Sequence, residues 1–148
     1  MGLQKPSSSN PHERILVIHT AFIGDIILAT PFLAGLRQIY PNARIQFLTT
    51  AAGAEVLEPN PWKIDTVIFH KRSADSGVTG FLRKARELKS FRATLVFCLH
   101  RSFRSALLAK AAGGENWGFS QSAGALLFSR TVSHEEYAFE AQKNITMQ

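Results

Sequence analysis

The sequence predicts an α/β domain built on a doubly wound parallel sheet. Three observations predict it. Four apolar runs, "ILVI" (15–18), "RIQFLTT" (44–50), "DTVIFH" (65–70) and "ATLVFCL" (93–99), are rich in β-branched or aromatic residues, as strands buried on both faces are. Helical segments separate these runs at roughly 20–30-residue spacing, the rhythm of right-handed βαβ units. Last, the apolar stretch from Arg14 to Pro41 is interrupted by a single carboxylate, Asp25, where the first strand would turn into a helix.

Each element follows from local chemistry. After "ILVI", the segment "TAFIG" makes a turn, and a helix is expected from about Asp25 to Tyr40, stopped by Pro41. Pro31 lies inside it and predicts a kink or a late start. "RIQFLTT" is the second strand, "GAEVLEP" (53–59) a short helix and "DTVIFH" the third strand. "KRSADSGVTG" (71–80) is expected to be a loop. "FLRKARELKSF" (81–91) is an amphipathic helix, with Phe81, Leu82, Ala85 and Leu88 on one face and cations on the other. "ATLVFCL" is the fourth strand. A helix follows over 102–112 with Ser102 as N-cap, and "GGENWGFS" turns into a short fifth strand. About five or more strands are expected in all.

The chain of 148 residues is long enough for one domain with a real core. Residues 1–13, polar and rich in Ser and Pro, are expected to form a disordered leader. The segment "HEEYAFEAQKNITMQ" (134–148) reads as the opening turns of a helix without a stop signal. The single cysteine, Cys98, excludes an internal disulfide and reads as a small buried hydrophobe. Ile15–Leu36 is long enough to span a bilayer. However, a mid-span Asp costs about 2.5–3.5 kcal/mol, and Gly24 and Pro31 break the run, so a strand–turn–helix is the better account.

The net charge of +6 comes from one segment. Residues 71–104 hold nine basic and two acidic side chains, a balance of +7, while the rest of the chain is close to neutral. A basic surface points to an anionic partner such as phosphate, a carboxylated sugar, nucleic acid or an acidic membrane, or else to a merely solvated face. Aromatics for base stacking are not interleaved with these cations, because Phe81 and Phe91 fall on or near the apolar face. That argues against nucleic acid.

In parallel sheets, ligands bind at the carboxyl ends of the strands. The loops expected there hold Asp25, Lys71, Arg72, His100 and Arg101. Asp25 follows Gly24 at a strand-to-helix turn, where a carboxylate can cap the helix or act as a general base toward a hydroxyl nucleophile. His100 and Arg101 precede a helix N-terminus, which favours anions, and Arg101 offers a planar fork to phosphate or carboxylate. His19 and His70 end strands and read as packing or surface residues. The turn "HTAFIGD" has one glycine, too few for a dinucleotide loop, and there is no Walker pattern. The scattered histidines and lone cysteine show no metal-ligand spacing.

The stretch "RILVIHTAFIGDIILATPFLAGLRQIYPNARIQFLT", then "DTVIFHKR", "GFLRKARELKSFRATLVFCLHRSFRSALLAKAAG" and "WGFS", resembles family 9 glycosyltransferases, the ADP-heptose:lipopolysaccharide heptosyltransferases. The resemblance covers nearly everything from Arg14 onward. It implies a Rossmann-like domain that is one half of a GT-B fold: the amino-terminal, acceptor-binding half (14–148), with the donor-binding half absent. It implies inverting transfer of heptose from ADP-heptose, with Asp25 as general base. Thr20, Gly24, Lys71, Arg72, His100 and Arg101 would line the acceptor side.

The acceptor implied is an anionic lipopolysaccharide inner core, Kdo–lipid A or a heptosylated core. No separate cofactor is implied, since ADP-heptose is the donor substrate. The resemblance further implies a cytoplasmic location, peripheral at the inner membrane face, and self-association through a cleft edge left uncovered. The chain alone is expected to be inactive. Two positions depart from the family pattern: Cys98 stands where an acidic residue is expected, and Phe139–Asn144 replaces a His-Glu start. Two alternatives stay open, a non-catalytic anion- or nucleic-acid-binding module and a GT-B transferase with another sugar donor.

Overall fold

The computed structural model of the protein describes residues 13–58, 60–70 and 77–133. The leader through residue 12, the segment 71–76 with Lys71 and Arg72, and the expected helix at 134–148 lie outside the described residues. Six strands, all parallel, form one sheet. They are β1 (Arg14–Ile18), β2 (Arg44–Thr49), β3 (Asp65–Ile68), β4 (Leu95–Cys98), β5 (Glu115–Phe119) and β6 (Arg130–Val132). Their order across the sheet is β3-β2-β1-β4-β5-β6. The doubly wound α/β class expected from the apolar runs is the class observed.

β1 is central, with Ile15–Ile18 in register with Ile45–Leu48 on one side and Leu95–Cys98 on the other. Its side chains alternate between faces, as the strand period requires. Ile15 and Val17 enter one core layer with Leu33, Leu36 and Phe47, while Leu16 and Ile18 enter another with Leu88, Val96 and Ala106. The first layer is covered by α1 (Ile23–Leu28), α2 (Thr30–Ile39) and α3 (Ala51–Val56); the second by α4 (Gly77–Ser90) and α5 (Phe103–Ala112).

The long helix expected over 25–40 is two helices. Ala29 closes α1, with its N–H on the carbonyls of Asp25 and Ile26 at 3.1 Å each, and it is also the N-cap of α2. Pro31, lacking an N–H, sits in the first turn of α2, where that N–H would have no helical partner. Of the two outcomes expected from Pro31, a kink or a late start, the second is seen: α2 starts at Thr30. α4 departs from expectation in the other direction. It begins at Gly77 rather than Phe81, so 77–80 are helical and not loop. Adding a turn to a formed helix is far cheaper than nucleating one, and it outweighs the roughly 1 kcal/mol that Gly80 costs; Gly77 enters the helix at φ +72°, the left-handed region that favours glycine. β6 is only three residues, "RTV", and mostly exposed at the sheet edge, so it carries no hydrophobic pattern to announce it.

One side chain locks the entry to β2. The Arg37 guanidinium donates to five backbone carbonyls, those of Trp62, Tyr40, Pro41, Ala43 and Lys63, at 2.7–3.3 Å. It thereby ties the end of α2 to the segment leading into β3. A cavity of about 550 Å³ opens beside it, at the edge of the sheet where the strands begin. That is the wrong edge for the chemistry of a parallel sheet, and the guanidinium there is already committed to structure. Arg37→Leu is expected to lower stability by about 1.5–3 kcal/mol, the worth of hydrogen bonds to a charged group, read from the midpoint of urea unfolding.

Candidate functional site

The chain leaves β1 and β4 in opposite senses. From β1 it passes through α1 and α2 to β2, and from β4 through α5 to β5 on the other side of the sheet. The strand order thus puts the switch point, the crevice where doubly wound sheets hold ligands, at the carboxyl ends of β1 and β4. The ladder runs one residue beyond the formal strands here: His19 N–H donates to Leu48 O and Leu99 N–H to Ile18 O, both at 2.9 Å. The next residues, Thr20 and His100, are therefore placed by the sheet itself.

These two residues form a polar floor with the start of α5. Three hydroxyls approach Nδ1 of His100: Ser105 Oγ at 3.0 Å, Thr20 Oγ1 at 3.1 Å and Ser102 Oγ at 3.3 Å. Ser102 is the N-cap of α5, as expected, accepting from Ser105 N–H at 3.1 Å, and its hydroxyl donates to Ser105 Oγ at 2.9 Å. Thr20 and Ser105 are buried and His100 half-buried. The His19 ring, also buried, lies 6.2 Å from that of His100, centroid to centroid. Whichever nitrogen carries the proton, the hydroxyls fix the His100 ring in one orientation.

α1 stands on the other wall. Only Ile26 of its residues is buried; Gly24 and Asp25 are exposed. Asp25 is not a cap. The N-cap is Phe22, no side chain caps this helix, and Asp25 occupies its third position. Among the described residues its carboxylate has no hydrogen bond or ion pair, so the backbone N–H contacts of a cap are not made. A side chain on Gly24 would meet nothing within 4 Å. Glycine there is not needed for packing and leaves the backbone beside Asp25 open. Arg101 is exposed, with its carbonyl held by Ala123 N–H at 3.1 Å and Ser122 Oγ at 3.3 Å. Its backbone is pinned while its guanidinium faces solvent.

The structure thus joins Thr20 to His100 directly, while Gly24 and Asp25 lie on the helix that follows β1 and Arg101 in the loop that follows β4. Sequence reasoning missed Ser105 and took His19 for a packing or surface residue. Ser105 carried a signal, since a hydroxyl three residues past an N-cap sits where the cap's partner lies. His19 had only its position, one residue beyond an apolar run. Among the described residues, no three His, Cys, Asp or Glu side chains are grouped to hold a metal ion, and no helix is long and apolar enough to cross a membrane.

Beneath the floor, Cys98 is buried and its thiol donates to His100 O at 3.3 Å. Burial pushes the thiol up to about 12, partly opposed by that bond. The native state therefore holds the neutral thiol, while the unfolded chain ionises from its ordinary value of 9.0. Cys98 contributes full stability below that value and loses it as pH rises through the window to about 12. The unfolding free energy should fall across this window more steeply than in Cys98→Ala. In native protein at neutral pH, the thiol should resist alkylation.

No family model and no curated protein matches the sequence. Solved structures do. A glycosyl transferase of family 9 from Veillonella parvula DSM 2008 superposes with a TM-score of 0.78 at 23% identity, over 91% of this chain and 41% of that one. The chain shares its fold with the superposed part of that glycosyl transferase. The E. coli ADP-heptose lps heptosyltransferase II superposes with a TM-score of 0.66 at 22% identity, over 83% of this chain and 36% of its own. The E. coli heptosyltransferase WaaC with ADP gives 0.69 at 16%, over 88% and 45%. The chain spans less than half the length of each.

Proposed function

We propose that this chain is the amino-terminal, acceptor-binding half of an inverting glycosyltransferase of family 9. In this reading, heptose passes from ADP-heptose to an anionic lipopolysaccharide inner core, either Kdo–lipid A or a heptosylated core, at the cytoplasmic face of the inner membrane. One observation carries it: the exposed carboxylate of Asp25, without a partner among the described residues, on the helix that follows β1, in a fold shared with heptosyltransferases.

The chemistry follows from the geometry. Asp25 takes the proton of an acceptor hydroxyl, the freed oxygen forms a bond to the anomeric carbon, and the bond from that carbon to the diphosphate breaks, releasing ADP with inversion. A carboxylate engaged in capping or an ion pair would be a poorer acceptor, whereas this one faces open space beside Gly24. His100 and Ser102, half-buried, offer imidazole and hydroxyl partners for sugar hydroxyls, and the buried Thr20 and Ser105 hold the imidazole in place. Arg101, with Lys71 and Arg72 from outside the described residues, supplies positive charge for the acceptor's acidic groups. The diphosphate of the donor would be held by a second half-domain.

Calorimetry of the 148-residue chain tests this assignment of halves. A Kdo-containing acceptor should bind weakly, and more weakly at high ionic strength, because the contacts are exposed charges. ADP-heptose should not bind tightly. Tight ADP-heptose binding without acceptor binding would mean that this is the donor half.

A further inference from the structure

The two faces of the sheet carry opposite charge. On the α1–α3 face, the helices hold Asp25 and Glu55 against Arg37, whose guanidinium is used up by backbone carbonyls. On the other face, α4 and α5 expose Arg86, Lys89, Arg104 and Lys110, none paired with an acid among the described residues. The only acid on these two helices, Glu87, is taken by Lys84 at 2.8 Å. This face also exposes apolar side chains, Val78 at 77%, Leu82 at 52% and Phe103 at 53%.

The two features are ordered along the helices. On α4, residues 78, 82, 86 and 89 follow helical spacing and form one outward stripe that reads Val, Leu, Arg, Lys. On α5, residues 103, 107 and 110 form a second stripe that reads Phe, Leu, Lys. Both helices run back against parallel strands, so their N-termini lie at the edge that holds the crevice. The apolar ends of both stripes are therefore beside the site, and the cationic ends lie further back.

We propose that the α4/α5 face docks on an anionic lipid bilayer. Val78, Leu82 and Phe103 enter the headgroup–acyl boundary, and Arg86, Lys89 and Lys110 pair with lipid phosphates. Apolar side chains set among cations on an exposed helical face are the signature of interfacial binding, and juxtaposed Lys and Arg draw such a surface to acidic leaflets. Nucleic acid would call for aromatic platforms among the cations, and Phe103 is the one exposed aromatic on these helices. Docked this way, the crevice opens at the bilayer, where a lipid-borne acceptor would present its sugars. That purpose rests on the transferase reading; the contact itself does not.

The test reads vesicle binding without any sugar transfer, so either idea can fail alone. Trp62 and Trp117 pack in the opposite core layer, so a Leu82→Trp reporter adds a signal of its own. With phosphatidylcholine vesicles containing phosphatidylglycerol, its emission should shift to the blue, and brominated lipid should quench it. Pure phosphatidylcholine should give little shift, and added salt should weaken binding. Arg86→Gln with Lys89→Gln should lower vesicle affinity about twenty-five-fold, at fivefold per basic residue, while thermal melting stays unchanged. Equal binding to neutral vesicles, unchanged affinity in the double variant, no blue shift, or tighter binding to an RNA oligonucleotide would each overturn the proposal.

Discussion

Asp25→Asn is expected to slow glycosyl transfer by about 10²–10⁴-fold, the usual cost of removing a general base. Asparagine keeps the shape and removes the proton acceptor, so acceptor affinity should barely change and the loss should appear in kcat. The measurement needs a protein that joins this domain to a donor-binding half. A stability control makes it decisive. Because the carboxylate caps nothing, Asp25→Ala should alter stability by no more than about 1 kcal/mol, the reach of a charge in the first turn of a helix. A large drop in rate with an unchanged melt would place the effect in the chemistry.

The second large effect concerns how Asp25 is held. Ile26 is the one buried side chain of α1 and is fully inaccessible. It packs in the layer with Val17, Leu33, Phe47 and Phe97 and is the helix's anchor to the sheet. Ile26→Ala is expected to cost about 2–5 kcal/mol, the range for cavity-forming truncations in cores, measured as a shift in urea midpoint at constant slope. The same change should lower the transfer rate of the folded fraction, since a loosened six-residue helix no longer fixes the carboxylate beside the crevice. Ile27→Ala is the matched control. It lies on the same helix but is half-exposed, so it should stay within about 0.5 kcal/mol of the parent.

Much of this architecture was legible in the amino-acid sequence, and for a physical reason. A parallel sheet covered on both faces demands uninterrupted apolar strands, so "ILVI", "RIQFLTT" and "ATLVFCL" stand out at a glance. Asp25 was visible for the converse reason, being the one charge between Ile15 and Leu36. Its local role was not visible. Whether a residue caps a helix depends on which residue begins the helix, and here that is Ile23, two positions upstream. The Thr20–His100–Ser105 cluster was half visible. Loop positions after strands were predictable, but Ser105 and Thr20 are 85 residues apart in sequence and meet only through the pairing of β1 with β4. The Arg37 clamp was hidden for the same reason, because carbonyl partners leave no mark in a sequence. β6 was hidden because a short, exposed edge strand avoids the apolar signal that would reveal it.

If Asp25 works as a base in an inverting transfer, the stereochemistry of the product must show it. The most direct measurement is the configuration of the new glycosidic bond, read by NMR on the product formed from ADP-heptose and a Kdo-bearing acceptor by a protein containing this domain and its donor half. One added heptosyl unit with the anomeric configuration inverted is expected, and almost no product from Asp25→Asn. Retained configuration, or parental yield from the Asn protein, would contradict it.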